Sequence, residues 1–348
     1  MLIHDSRARV IAIVVLALAG CTLGGGAEFS GSQDNDSQDD DRPTDKPGGG
    51  GGGGQMPGTG LPDAGAPDAG APDAATPTAT CANDELGIRQ IYCTKLGGDD
   101  WFINMVNPGI NPARFNPKTT ITQNLDGSWK ATAASVRMNA FTVEGYKPSS
   151  ITTYNQAQLA VKGYMQSAMD WKNVEMTAYL KVNNPGAGDD NIGFWARGGL
   201  HGSAAGDDGT GCEGTAYKAN LHYSGATSIA KKHWHPSGYT FTPTKPAQAG
   251  SIVGKWVGIK TIIFDTPDGV QVELWADWAA NNTWVRVDDF LDSTGFGTQG
   301  THCMGAADGR VGWGGPVATF SWDTATDVDF RNLSVREIDP TLGGGVIQ

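Results

Sequence analysis

The sequence predicts an all-β fold, an antiparallel β-sandwich that follows a long N-terminal region. Three observations support it: short segments in which apolar and polar residues alternate, turn residues between those segments, and the lack of a long amphipathic helical pattern. Period-two alternation is typical of a strand that has one face in a core. The clearest alternating segments are residues 174–182, 192–197, 216–223 and 270–277.

A hairpin and a closing strand complete the predicted sandwich. Trp256 to Phe264 is a more continuously apolar run, which is typical of a buried strand. Thr266-Pro267-Asp268-Gly269 predicts a tight turn, so that residues 256–264 and 270–277 pair with each other. Asp327 to Ile338 predicts the last strand. Many short strands with regular turns favour two packed antiparallel sheets.

Residues 1–20 are typical of an export signal. Arg7 and Arg9 precede an apolar run, Val10 to Ala19, that is too short to span a bilayer. Leu18-Ala19-Gly20-Cys21 resembles the lipobox of bacterial lipoproteins. The resemblance implies cleavage before Cys21, lipidation of its sulfur and anchoring to the bacterial cell envelope, at the outer membrane or cell surface. An ordinary signal peptide is the alternative.

Residues 21–80 predict a disordered tether. Gly48 to Gly54 is an uninterrupted glycine run, and a Pro-Asp-Ala-Gly-Ala repeat begins at Pro62. Phe29 is the only aromatic residue of the segment. Such a composition cannot bury enough apolar surface to offset the entropy of ordering. The folded domain is therefore predicted for residues 81–348.

Charge and cysteine content restrict the partners and the compartment. The formal net charge is −12 and no basic stretch is present, which argues against nucleic acid as a partner. Four cysteines follow Cys21, and an even number in an exported chain predicts two disulfides. We favour Cys81–Cys93 with Cys212–Cys303, because the first pair closes a short loop, although three connectivities are open.

The strand pattern resembles the jelly-roll sandwiches of the concanavalin A-like lectin and glucanase class. Residues 328–335, Val-Asp-Phe-Arg-Asn-Leu-Ser-Val, are similar to the final strand of such domains. Residues 272–277, Val-Glu-Leu-Trp-Ala-Asp, resemble a strand that precedes a hairpin in laminin-G-like modules. The resemblance covers most of the predicted domain and implies a jelly-roll fold.

The stretch from Trp195 to His235 is unusually rich in His, Arg, Lys and Tyr for a solvated strand face. The polar face of one jelly-roll sheet is often a concave groove, and this stretch would line it. Trp195, Trp234 and Trp275 would offer flat rings that stack on sugars. The sequence therefore predicts a site for an extracellular polysaccharide.

The first hypothesis for this site is β-elimination at uronic acid residues. The reaction needs a group that neutralises the carboxylate, a base and an acid. Candidates for these roles are Arg197 and Asn220 as neutralising groups, His201 or His222 as the base, and Tyr217 as the acid.

A second resemblance supports the same hypothesis. The run Lys218-Ala219-Asn220-Leu221-His222 resembles the Lys-Ala-Gly strand motif of jelly-roll alginate lyases, in which a tyrosine stands at the place of His222. It implies a polysaccharide lyase and adds Lys218 to the candidate catalytic residues.

Two alternatives stay open. A non-catalytic carbohydrate-binding or adhesion module needs only aromatic and hydrogen-bonding side chains on one sheet face. A glycoside hydrolase would use two carboxylates from Glu213, Glu273 and Asp277. The candidate substrate-binding residues are Trp195, Glu213, Asn220, Lys231, His233, His235 and Trp275.

None of these hypotheses requires a cofactor, but two kinds of metal site are conceivable. His201, His233 and His235 have side chains that commonly bind metals. Structural calcium is the other alternative, because carboxylate oxygens in loops are its usual ligands. The candidate calcium loops are Asp99-Asp100, Asp189-Asp190 and Asp207-Asp208.

Overall fold

The computed structural model of the chain describes residues 81–142, 165, 167–199, 214–234, 238–293, 296–297 and 309–343. Within these ranges the secondary structure consists of strands, turns and bends. The described residues contain no helix that is long and apolar enough to cross a membrane.

The larger sheet has nine strands within the described residues. Its main path runs β14-β13-β12-β7-β16-β5-β4, and β1 and β2 also pair with β16. These strands are β1 (Tyr92–Thr94), β2 (Asp100–Phe102), β4 (Ile121–Gln123), β5 (Trp129–Ala131), β7 (Val174–Asn184), β12 (Trp256–Thr266), β13 (Gly269–Asp277), β14 (Val285–Asp292) and β16 (Asp327–Gly343).

The smaller sheet has seven strands within the same residues and the order β11-β10-β9-β8-β15-β6-β3. Its strands are β3 (Phe115–Asn116), β6 (Ser135–Phe141), β8 (Asn191–Gly198), β9 (Ala216–His222), β10 (Thr227–Trp234), β11 (Gly238–Phe241) and β15 (Val317–Asp323). All strand pairings in both sheets are antiparallel.

The two sheets pack face to face, which confirms the predicted all-β, antiparallel jelly-roll sandwich. The chain passes between the sheets after β2, β3, β5, β6, β7, β11, β14 and β15. The predicted hairpin is present, with Thr266 paired to Gly269 at its tight end. The predicted closing strand is β16, which extends beyond Ile338 to Gly343.

The main core lies between the sheets and follows the predicted alternation. On β7, Met176, Ala178 and Leu180 point into it, and Phe194 and Phe320 meet them from the smaller sheet. Phe194 and Phe320 contact each other edge to face, with ring centroids 4.8 Å apart. Burial of such side chains supplies most of the stabilisation of a sandwich of this kind.

The N-terminal segment of the domain covers the outer face of the larger sheet. Ile91 and Tyr92 form a second apolar cluster there with Phe264, Trp275 and Trp284. The outer faces of antiparallel sheets usually meet water, but this cover buries the central strands β7, β12 and β13 on both sides. The predicted Cys81–Cys93 disulfide is confirmed in this segment. Its predicted partner disulfide, Cys212–Cys303, lies outside the described residues.

A buried ionic cluster holds the cover in place. Glu175 on β7 is fully buried and pairs with Lys260 at 2.6 Å and with Arg336 at 2.7 Å. The same carboxylate accepts hydrogen bonds from the backbone N–H groups of Ile91 and Tyr92. Burial opposes the charge of Glu175, but Arg336 and Lys260 together outweigh it and lower the pKa of Glu175 to about 2.

Candidate functional site

The outer face of the smaller sheet carries two neighbouring cross-strand rows of side chains. The first row pairs Phe241, Ala230, Lys218, Trp195, Thr319 and Asn139 in that order across β11, β10, β9, β8, β15 and β6. The second row pairs Ser228, Asn220, Gly193, Ser321 and Arg137 across β10, β9, β8, β15 and β6. We call these residues, with Lys232 and Tyr239 beside them, the polar face.

The polar face is buried at its centre and open at its margins. Asn139, Asn220, Ser228, Thr319 and Ser321 are each at most 3% exposed, although an outer sheet face normally meets water. In contrast, Phe241 is 55% exposed. Buried polar side chains without bulk solvent must be satisfied by hydrogen bonds, or they destabilise the fold.

Lys218 lies at the centre of the polar face. Its ammonium donates a hydrogen bond to Asn191 Oδ1 at 2.9 Å and lies 4.7 Å from the centroid of the Trp195 ring. The side chain extends over Gly193, where an added Cβ would lie 1.7 Å from Lys218 Cε. Among the described residues, no carboxylate oxygen lies within 4.0 Å of its amine.

This environment makes Lys218 unusually acidic. Burial removes water from the ammonium and is the main reason that the pKa of Lys218 is lowered to about 7. The positive charge of Arg137 lowers it further, whereas Asp323 and Asp190 act in the opposite direction from a distance. Lys218 is therefore divided between the charged and the neutral form near neutral pH.

Asn220 and His222 occupy the same side of β9 as Lys218. Asn220 Nδ2 donates to Ser228 Oγ at 3.1 Å, and a nitrogen of His222 lies 3.3 Å from the same hydroxyl. The oxygen atom of the same amide, Asn220 Oδ1, is buried and accepts no hydrogen bond from the described residues. The predicted trio of Lys218, Asn220 and His222 is therefore brought together on one face.

Three aromatic rings continue the polar face toward its open margin. Trp195 and Tyr239 meet edge to face with centroids 5.9 Å apart, and Tyr239 stacks on Phe241 at the same distance. Trp195 is held by a hydrogen bond from its Nε1 to Ser321 Oγ at 2.8 Å. Lys232 lies 5.8 Å from the Trp195 centroid. The rings thus form an ordered apolar strip beside cationic side chains.

Arg197 takes a different direction from the one expected. Strict alternation would place it beside Trp195 on the polar face, but its φ of 78° forms a bulge that breaks the alternation. The guanidinium is fully buried and donates to Asp265, on the other sheet, at 2.7 Å. It also donates to the carbonyls of Lys172 and Val311. The structure therefore places Arg197 between the sheets, away from Lys218.

Tyr217 and Lys231 also lie between the sheets. Their side chains share one acceptor, Asp292 Oδ2, at 2.5 Å from the Tyr217 hydroxyl and 2.7 Å from the Lys231 amine. Burial and the neighbouring Asp292 raise the pKa of Tyr217 well above its ordinary value. Tyr217 is paired with Lys231 across β9 and β10, so both side chains are on the face opposite to Lys218. The sequence predicted that Tyr217 and Lys231 line the groove, but both side chains lie between the sheets.

Trp275 lies on the other outer face of the sandwich. Its Nε1 donates to Glu273 at 2.8 Å under the N-terminal cover. Glu273 in turn pairs with Arg286, and Asp277 accepts from the Tyr179 hydroxyl. Trp275 is consequently separated from Trp195 by the thickness of the sandwich, because β13 and β8 belong to different sheets.

Several predicted site residues lie outside the described residues. His201, Glu213 and His235 are among them, and for His233 only the backbone in β10 is described. Their roles, and the metal site that would combine the histidines, stay predictions. The same holds for the calcium loop at residues 207–208.

The other two candidate calcium loops have protein partners. Asp99 pairs with Arg114 at 3.0 Å. Asp189 accepts a hydrogen bond from the backbone of Ser224, and Asp190 accepts one from Asn191. Within the part of the chain that the structure describes, no three His, Cys, Asp or Glu residues are grouped so that they could hold a metal ion.

Comparison with known proteins gives similar folds at low sequence identity. No protein-family model matches the sequence, and no characterised protein matches it significantly. Among solved structures, the winged bean acidic lectin in complex with methyl-α-D-galactose has a TM-score of 0.39 and 9% identity, over 68% of this chain and 98% of that chain.

Two further solved structures are of the same kind. A legume lectin-like domain from Entamoeba histolytica has a TM-score of 0.36 and 12% identity, over 68% of this chain and 94% of that one. The exoplasmic domain of VIP36, bound to Ca²⁺ and Man3GlcNAc, has a TM-score of 0.38 and 12% identity, over 66% and 86%. Since these values are low, function must be inferred from the geometry of the polar face.

The sequence did not single out several residues that build the polar face. Tyr239 and Phe241 follow a break in the strand pattern, and their i, i+2 spacing is the only signal that they share a face. Thr319 and Asn139 are common strand residues whose position opposite Trp195 depends on long-range pairing. Gly193 carries no chemistry of its own, and only the packing of Lys218 reveals its importance.

Proposed function

We propose that the polar face binds carbohydrate. The observation that carries this proposal is the strip Trp195–Tyr239–Phe241 beside two rows of buried amide and hydroxyl side chains on one sheet. Sugars present apolar ring faces and polar edges, so they are complementary to flat aromatic rings combined with fixed hydrogen-bonding groups.

Phe241 offers the cleanest test because its ring is exposed and its removal disturbs little packing. Full-length protein is first screened on a glycan array, and the best oligosaccharide is then titrated by calorimetry. Phe241→Ala should weaken binding roughly 2–10-fold, the range expected for loss of one aromatic contact. Leu291→Ala, on β14 of the other sheet, is the matched control and should bind normally. Equal affinity of both variants would exclude the aromatic strip as the site.

A second candidate function is β-elimination at uronic acid residues on the same face. The specific observation that favours it is Lys218, whose pKa of about 7 suits an amine that accepts and returns a proton near neutral pH. Asn220 and His222 lie beside it, whereas Arg197 and Tyr217 lie between the sheets. Incubation with uronic-acid polysaccharides tests the idea. A rise in ultraviolet absorbance reports an unsaturated product, and no rise on any polymer excludes the reaction.

We also propose that Cys21 carries lipid and holds the domain at the outer membrane or cell surface by a tether of residues 21–80. The support is the lipobox-like sequence before Cys21 and the Gly, Pro and Asp content of the tether. Metabolic labelling with a fatty acid should mark the full chain and not the Cys21→Ser variant. Equal labelling of both would contradict the anchor.

A further inference from the structure

We propose that the polar face selects sugars that carry an anionic group, either a carboxylate or a sulfate ester, and that Lys218 and Asn220 above Gly193 form the subsite for that group. This inference rests on the proposed carbohydrate site and names its class of ligand.

The first support is the convergence of two buried polar side chains over one glycine. A Cβ on Gly193 would lie 1.7 Å from Lys218 Cε and 2.8 Å from Asn220 Oδ1. Gly193 therefore leaves the space that both side chains enter. Lys218 is 7% exposed and Asn220 is 1% exposed, so neither is an ordinary surface group.

The second support is an unbalanced charge. A buried ammonium is stable only when an opposite charge or several acceptors compensate for the lost water. The Lys218 ammonium donates a hydrogen bond to one amide oxygen, Asn191 Oδ1, and lies over the face of the Trp195 ring. The described residues offer it no carboxylate within 4.0 Å. An anion bound beside Lys218 would supply the missing charge.

The third support is an unmet acceptor next to that charge. Asn220 Oδ1 is buried and accepts no hydrogen bond from the described residues, while Nδ2 of the same amide is fixed by Ser228. A hydroxyl next to the anionic group of a sugar would donate to this oxygen. A bare sulfate ion has no such donor, so the pair of side chains favours an acidic sugar over that ion.

Binding of an anion at Lys218 must be coupled to a proton. Burial keeps the pKa of Lys218 at about 7, and an anion binds the protonated form. Affinity should therefore fall as pH rises above 7, by up to tenfold per pH unit. The other charged or titratable groups around this face are Arg137 on β6, Asp323 on β15, Asp190 before β8, His222 on β9, Lys232 on β10 and Tyr239 on β11.

The test titrates the full chain with three oligosaccharides between pH 6 and 8.5: a galacturonic acid hexamer, a sulfated galactose oligomer and the neutral galactose oligomer. We expect at least one charged oligomer to bind more tightly than the neutral one, with affinity falling above pH 7. Lys218→Met should reduce binding of that oligomer roughly 10–100-fold, the range for loss of a hydrogen bond to a charged group. Lys218→Arg should keep the preference but lose the pH dependence.

Controls separate this inference from the proposed function. Lys95→Met removes an exposed lysine that directly follows β1 of the larger sheet. This variant should retain the charge preference and its pH dependence. If neutral oligomers bind and Phe241→Ala weakens them, but Lys218→Met leaves charged binding unchanged, the anionic subsite is wrong and the carbohydrate site stands. If no oligomer binds, both proposals are wrong.

Discussion

Two lysines on opposite outer faces of the sandwich lie over tryptophan rings in similar positions. The Lys260 amine is 4.5 Å from the centroid of Trp284, and the Lys218 amine is 4.7 Å from that of Trp195. Both side chains are almost fully buried, and burial lowers the pKa of both. Their charge partners are different. Lys260 pairs with the carboxylate of Glu175, whereas Lys218 donates a hydrogen bond to the uncharged amide of Asn191.

The difference separates a structural face from one that is suited to a ligand. At Lys260, the chain supplies the opposite charge and then covers it with its N-terminal segment. At Lys218, the described residues supply neither a close carboxylate nor a donor for Asn220 Oδ1. A buried lysine that is paired with a carboxylate of the chain needs no further anion. A buried lysine without such a carboxylate costs stability, and a bound anion would offset that cost.

The largest expected effect is on the covered face that carries Lys260. Glu175→Gln leaves Lys260 and Arg336 as buried cations without their common partner, so we expect a loss of about 3–5 kcal/mol in the free energy of unfolding. Urea denaturation measures it, with the exposed Glu85→Gln as control. A loss of less than about 1 kcal/mol would mean that the cluster is not the anchor of the cover.

The acid side of the stability curve sharpens the same prediction. The pKa of Glu175 is about 2 in the folded chain, against 4.5 ordinarily, so the unfolded chain binds the extra proton between these values. Its contribution is therefore complete above pH 4.5 and declines as the pH falls toward 2. Glu175→Gln should lack this contribution. The difference in the free energy of unfolding between the unsubstituted chain and the variant should therefore shrink as the pH falls from 4.5 toward 2.

The next effect concerns the disulfide of the cover. Cys81 and Cys93 are 12 residues apart, and a loop of that size predicts a loss of about 2–4 kcal/mol in stability when both are replaced by serine. Thermal unfolding checks this. Carbohydrate binding at 25 °C should be unchanged in the folded variant, because the polar face is on the other sheet. Loss of binding in a fully folded variant would show that carbohydrate binding at the polar face depends on the cover of the larger sheet.

The fold was largely predictable from the sequence. Alternation in Val174–Asn184 identified the core face correctly, because a sheet with one dry face imposes period two on its residues. The hairpin at Thr266 was predictable because turn chemistry is local. The cover over the larger sheet was not, since its short strands pair with residues more than two hundred positions away along the chain.

The site was predictable only in part. Lys218, Asn220 and His222 follow one another at every second position, and alternation alone placed them together. Arg197 was misplaced because a bulge is a departure from the pattern that pattern analysis uses. Trp275 was grouped with Trp195 by residue type, whereas sheet membership depends on long-range pairing.

Each of the two faces also has a glycine that lies under a neighbouring side chain. A Cβ on Gly258 would lie 2.7 Å from Trp284 Cη2 and 2.8 Å from Tyr179 Cε1, which are rigid rings. On Gly193 it would meet the far end of Lys218, a side chain with several rotatable bonds. We expect Gly258→Ala to cost about 3 kcal/mol and Gly193→Ala about 1 kcal/mol. Gly312→Ala, which has open space around it, is the control in urea denaturation. The reverse order would mean that Lys218 is as rigidly packed as the rings.

The smallest effect is the response of stability to a one-unit rise in pH. Lys218 has a pKa of about 7 when folded and 10.5 ordinarily, so between these values the unfolded chain binds more protons and stability rises with pH. From pH 7 to 8 the rise is at most about 1.4 kcal/mol. Lys218→Met should abolish it, and the exposed Lys95→Met should not. If the free energy of unfolding depends on pH in the same way in both variants, an anionic group of the chain already pairs with Lys218. The contrast with Lys260 then disappears.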